Sequence, residues 1–196
     1  MSDSTTWICC GVLRPEMESL HHDRKIQGRL VFLNSMLHMN PPVLEDRLSS
    51  ALQAFRLSER VVVVYGDCCP RMRELVRIYS ASRVKAINCA QMLLGRERYR
   101  QLMEEQAFLL LPEWTLRWND VIQHELGLGE DVAGDFMQEF GHSLVYVDTG
   151  IVPVPYESLR RCAAYTKLPW QVERVTLDNL LVLLHEAEQS VPLPAI

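Results

Sequence analysis

The sequence predicts an α/β fold: a single Rossmann-like or flavodoxin-like three-layer domain around a mainly parallel sheet. Three observations carry that reading. Short apolar runs alternate with longer segments of helical period along the whole chain. The clearest run, residues 61–65, is four valines and a tyrosine, apolar on both faces, as strands of buried parallel sheets are. Several runs also stop at glycine, proline or aspartate, the residues that hand a strand over to a turn.

In order, the first strand is expected at residues 7–10 (Trp-Ile-Cys-Cys), running into Gly11. Residues 29–37, rich in aliphatic side chains, form the second. Residues 61–65 are the third, ending in Gly66-Asp67, and 84–87 a short fourth. Residues 108–111 are the fifth, closed by Pro112, and 144–147 the sixth, closed by Asp148-Thr149-Gly150. Residues 172–175 are the seventh.

The helices fall between them. Residues 43–55 carry Val43, Leu44, Leu48, Leu52 and Phe55 at helical spacing. Residues 72–79 are short and amphipathic, and 96–105 are charged with Tyr99, Leu102 and Met103 to one side. Residues 113–126 and 131–140 are separated by the Gly-Leu-Gly turn at 127–129. Residues 156–165 and 177–188 complete the set, with Thr176 as the N-cap of the last helix and Asp178 in its first turn. No internal repeat or linker is visible, so residues 1–190 read as one domain and 191–196, with two prolines, as a loose tail.

Composition bounds the function. The 196 residues are 23% charged and 48% hydrophobic, which excludes a disordered or collagenous chain. The formal charge of −5 argues against a general nucleic-acid binder, which needs a basic face. The first six residues lack the basic region of a signal peptide, and no apolar run is long enough for a membrane span. The expectation is a cytoplasmic protein, in which the six cysteines are thiols or metal ligands rather than a disulfide framework. No C-x-x-C, P-loop, dinucleotide-binding glycine motif or G-x-S-x-G occurs.

Ligands of open parallel sheets bind beyond the carboxyl ends of the strands. At those ends stand Cys9-Cys10-Gly11, His38-Met39-Asn40-Pro41, Asp67-Cys68-Cys69, Asn88-Cys89, Pro112-Glu113-Trp114 and Asp148-Thr149-Gly150. Five of the six cysteines lie at three of them. In a flavodoxin-like order, 2-1-3-4-5, the first, third and fourth strands are neighbours, about 4.8 Å apart. Cys10, Cys68 and Cys89 can then meet at one point. Three thiolates there suit an iron–sulfur cluster with one open iron, and equally a zinc with an open fourth position. His38 stands as a further ligand, a donor to a ligand or an acid, and Asp67 as an acid/base group or a hydrogen-bond partner of a ligand. Free cysteine is also among the most buried residue types, so packing under short loops is the competing reading.

Taken together, these pieces resemble an uncharacterised family catalogued as domain of unknown function 1638. The resemblance is carried by Cys10-Gly11-Val12-Leu13 with Glu16, Leu37-His38-Met39-Asn40-Pro41, Tyr65-Gly66-Asp67-Cys68, and Asn88-Cys89 leading to Leu93-Leu94-Gly95 and Arg98-Tyr99. Phe108 to Pro112 with Trp114, and Val145 to Gly150, extend it. The family pattern has cysteines at the positions of Cys10, Cys68 and Cys89 and a histidine at His38. It often has His-Asp before the third cysteine, where this chain has Ile87-Asn88. The resemblance implies a link to corrinoid-dependent methylamine methyltransferases, and so to one-carbon chemistry.

Three functions follow as expectations. The first is a metal-dependent enzyme or accessory enzyme with a small-molecule substrate, its iron–sulfur cluster or zinc held by Cys10, Cys68 and Cys89. The second is a non-catalytic partner or chaperone of a corrinoid methyltransferase protein, with an apolar patch around Trp114 and Trp118. The third is a thiol redox or thiol-transfer enzyme using Cys9-Cys10 or Cys68-Cys69. A homodimer is a further expectation, from the broad apolar surface of residues 177–184. The basic stretches at 21–25 and 96–100 read as a solvated loop and a salt-bridged helix face.

Overall fold

Four parallel strands build the first sheet: β1 (Thr5–Cys10), β2 (Arg29–Leu33), β3 (Arg60–Val64) and β4 (Ser82–Arg83), in the order β2-β1-β3-β4. The structure, a computed structural model, describes residues 5–55 and 60–190. β1 lies inside the sheet and is buried along its whole length; β3 beside it presents Val61, Val62, Val63 and Val64 to the interior. β2, at the edge, is only half buried.

Helices cover both faces. The connection from β1 through α1 (Arg14–His22) to β2 runs one way, and that from β2 through α2 (Pro41–Phe55) to β3 runs back. Right-handed crossovers therefore put α1 and α2 on opposite faces. α2 lies against β1 and buries Leu44, Leu48 and Leu52, spaced one helical turn apart. A hydrogen bond of 2.9 Å between the Ser49 and Tyr79 hydroxyls ties α2 to the end of α3 (Met72–Ile78). α9 (Asp178–Gln189) packs on β3 and β4 through Leu180, Leu184 and Ala187, and His185 Nε2 reaches the Lys25 carbonyl just after α1. Together these contacts make three layers.

The second sheet is also parallel: β5 (Ala107–Leu110), β6 (Ser143–Asp148) and β7 (Trp170–Arg174), with β6 in the middle. Around it lie α5 (Arg96–Glu104), α6 (Pro112–Leu116), α7 (Glu130–Phe140) and α8 (Tyr156–Thr166). Its core gathers Trp118, Ile122, Met137, Tyr146, Leu159 and Cys162. The contacts divide the chain into two compact units, one of residues up to Met92 and from Leu177 onward, the other Leu93–Thr176.

The α/β class and the parallel pairing are as the sequence predicts. Several particulars differ. The fifth strand begins a second sheet instead of extending the first, so the seven strands divide between two parallel sheets. β4 offers only two paired residues, and β5 finds its partner in β6, the strand buried along nearly all its length. Residues 14–22, of which only 21 and 22 have a predicted place, in a solvated loop, form α1; Pro15 and Glu16 suit its first turn, and Leu13, Met17 and Leu20 are buried at helical spacing. The 29–37 strand stops at Leu33, where the Asn34 side chain accepts from Met36 N at 2.8 Å and starts a 3₁₀ turn, Ser35–Met39. The fourth strand pairs two residues earlier than expected. The 113–126 helix breaks into α6 and a π-helical turn, Asp120–Glu125. α9 has Leu177 rather than Thr176 at its cap position, with Asp178 in its first turn. The 191–196 tail lies outside the described residues. Among the described residues, no helix is long and apolar enough to cross a membrane.

Candidate three-cysteine site

With the order β2-β1-β3-β4, the chain leaves β1 toward one edge of the sheet and β3 toward the other. The carboxyl ends of β1 and β3 thus flank the crevice where such sheets bind ligands. Cys10 and Gly11 close β1; Tyr65, Gly66, Asp67, Cys68 and Cys69 follow β3; Cys89 opens α4 (Cys89–Leu94) beyond β4.

Backbone contacts bring the last two segments together. A Cβ on Gly66 would stand 2.2 Å from the Ile87 carbonyl oxygen and 2.6 Å from Asn88 Cα, so only glycine admits this approach. Asp67 N donates to the same Ile87 carbonyl at 2.9 Å, and the Asp67 carboxylate pairs with Arg83 at 2.8 Å. Asn88 Oδ1 accepts from Gln91 N at 2.9 Å, while Gln91 Oε1 accepts from Ile87 N at 3.0 Å. This reciprocal pair fixes the first turn of α4 as a capping box does, and with it Cys89. From α9, the Asn179 amide donates to the Met92 carbonyl at 2.8 Å.

Strand register sorts the remaining side chains. Cys9 pairs with Val64, so the next positions, Cys10 and Tyr65, are neighbours on the opposite face of the sheet. Cys10 and Cys89 are buried and Cys68 is half-buried. The Cys89 thiol is in hydrogen-bond contact with Cys10, and that contact, with burial and the nearby Cys68, raises its pKa well above the ordinary thiol value. Burial and Cys10 push Cys68 up to about 11. The Tyr65 phenol is raised by burial and by Cys10, Cys89 and Cys68. Cys10, Cys89 and Tyr65 are therefore in contact, with Cys68 near enough to act on them through charge.

In this form Cys89 bonds to Cys10, and burial keeps the Cys89 and Cys68 thiols neutral. Among the described residues, no three such side chains yet point at a common centre as a ligand shell does. Their chemistry nonetheless fits a soft cation: three sulfurs on three neighbouring chain segments, and a mutual repulsion between thiolates that a bound cation would relieve. A cleft of about 480 Å³, lined by Asp67, Cys68, Cys69, Pro70, Met72 and Arg73, opens beside Cys68, the most exposed of the three.

The other candidates fall as follows. His38 lies on the 3₁₀ turn after β2, on the same edge of the sheet, and its Nδ1–H donates to the Ser35 carbonyl at 2.6 Å. That bond places the lone pair of the neutral ring on Nε2. Asp67 is exposed and bound to Arg83, a clamp between β3 and β4. Cys9 faces away from the cluster and contacts the Trp7 carbonyl at 3.5 Å. Cys69 is buried against the backbone N–H groups of Arg71 and Met72 at the start of α3. Trp118 is buried against Tyr165, ring centroids 5.3 Å apart, and so does not form the apolar patch expected there. Arg100 pairs with Glu97 and Glu104 along α5, the salt-bridged face the alternating charges predict.

Tyr65 is the residue that sequence reasoning missed. Its side chain is fully buried, and its hydroxyl finds only the Cys10 thiol, a weak acceptor, to bond to. The signal was present but mute: a polar-tipped aromatic closing an all-valine strand, one residue before a glycine.

A family model described as protein of unknown function (DUF1638) matches residues 32–184, well over half of the chain. His38, Cys68 and Cys89 stand inside the match and Cys10 before it. No curated protein and no solved structure matches the chain.

Proposed function

The chain belongs to the DUF1638 family, and we propose that it is a metal-dependent enzyme or accessory enzyme that handles a small molecule of one-carbon metabolism. Cys10, Cys68 and Cys89 would hold an iron–sulfur cluster or a zinc at the crevice between β1 and β3. The observation that carries this reading is the contact of the buried Cys10 and Cys89 thiols, with half-buried Cys68 near enough to act on both through charge, at the switch point of a parallel sheet.

When bound, the metal supplies an open coordination position that acts as a Lewis acid or activates a thiolate of the substrate. The chain supplies the rest. Gly66 and the Asn88–Gln91 pair hold the Cys68 and Cys89 segments against each other. The cleft beside Cys68 admits a small molecule. His38, oriented through Nδ1, offers Nε2 to receive or return a proton, and Asp67 keeps Arg83 in place.

The test is metal and acid-labile sulfide content, with a visible spectrum, on protein purified without oxygen. Iron with sulfide and a broad band near roughly 400 nm identifies a cluster, and zinc near one per chain a Lewis-acid site. Cys68→Ser is expected to lose the metal and keep its circular dichroism. Full metal occupancy in the triple Cys10, Cys68, Cys89→Ser chain would refute the proposal.

A further inference from the structure

The buried phenol beside the thiols has no use in the reading given above, and its placement is costly unless a partner arrives. Tyr65 is fully buried, its hydroxyl meets only the weakly accepting Cys10 thiol, and the strand register sets it next to Cys10 on the same face of the sheet. A neutral thiol is a weak acceptor; a thiolate is a strong one. We propose that Tyr65 is a positioning residue of the centre, its Oη–H donating a hydrogen bond to the Cys10 sulfur once that sulfur is a metal-bound thiolate.

The inference rests on the three cysteines being a metal site and says how that site is tuned. The phenol supplies the donor, and a Cys10 thiolate is a much stronger acceptor than the neutral thiol of the metal-free form. A hydrogen bond to a ligating sulfur withdraws charge from it, so Cys10 becomes the least electron-donating of the three ligands. It also couples folding to loading in an unusual direction. The buried hydroxyl gains little from a neutral thiol and makes its full bond only when the metal is present.

That direction makes the test specific. The metal-free full chain and its Tyr65→Phe variant are titrated with Co²⁺ alone, reading the thiolate-to-metal charge-transfer band, and both metal-free proteins are melted. Tyr65→Phe removes only the oxygen and leaves the ring that fills the core. The expected result is a Co²⁺ affinity lower by about tenfold to a hundredfold, the range of a hydrogen bond to a charged group, with the band moved to lower energy. The melting temperature of the metal-free variant should equal or exceed that of the parent. A residue that merely packs would lower melting temperature and leave the band in place. Unchanged affinity and band, or a fall in the metal-free melting temperature, overturns the role of Tyr65 while the metal site stands. No charge-transfer band in the parent chain overturns the metal site and this inference with it.

Discussion

At the scale of single residues, the site depends on an atom that is absent. Gly66 has no Cβ, and one placed there would sit 2.2 Å from the Ile87 carbonyl oxygen. Gly66→Ala must push the β3 end and the segment before α4 apart. The expected cost is about 1–3 kcal/mol by urea unfolding, as for other overpacked sites. The Cys68 and Cys89 thiols separate with it, so bound metal should fall as well, measured on the same preparation. A folded Gly66→Ala chain with parent metal content would show that this approach does not set the thiol geometry. The neighbourhood of Cys10, Cys68 and Cys89 was legible in the sequence, because each stands at or after a strand end and the first strands could be ordered. Gly66 and Tyr65 were not. The need for glycine arises from contact with residues some twenty positions later, and the phenol matters only through neighbours that the sheet supplies.

Among elements, α4 shows how little helix is needed to place a ligand. It spans six residues and is held at both ends, by the Asn88–Gln91 exchange and by Asn179 of α9. Asn88→Ala removes the N-cap and should cost about 1 kcal/mol, the usual value for such caps. The chain is expected to stay folded, with hydrogen-exchange protection lost in α4 and metal affinity reduced. Protection unchanged at α4 would show that Asn179 alone holds it. Strands with strong runs were placed to within a residue or two from sequence, since β3 and β6 each hold four consecutive apolar residues. β4 was misplaced because it pairs at only two positions, and in the sequence nothing distinguishes Ser82–Arg83 from a turn. α1 was missed because the polar residues from 18 to 25 hide a three-residue buried stripe.

For the whole molecule, the lesson concerns where a run of βα units stops being one sheet. Alternation fixes the class and the parallel pairing, but it carries no mark of which strand pairs with which. The second unit is accordingly built around its own core, in which Cys162 is fully buried far from any ion partner of its thiol and pushed by burial up to about 12. This gives a stability dependence that is separate from the proposed metal site. In the unfolded chain the thiol ionises near pH 9, while in the folded chain it stays protonated. Above that pH the unfolded state binds fewer protons, so stability is fully present below pH 9 and is lost as pH rises toward 12. The slope from this one group approaches 1.4 kcal/mol per pH unit, or about 2 kcal/mol by pH 10.5. Cys162→Ala leaves a small cavity and should be less stable than the parent at pH 7 by about 1–2 kcal/mol. Its alkaline decline should be shallower, because the titrating group is gone, so the two urea midpoints converge between pH 9 and pH 10.5. Parallel curves over that range would mean that the thiol ionises as readily in the folded core as outside it.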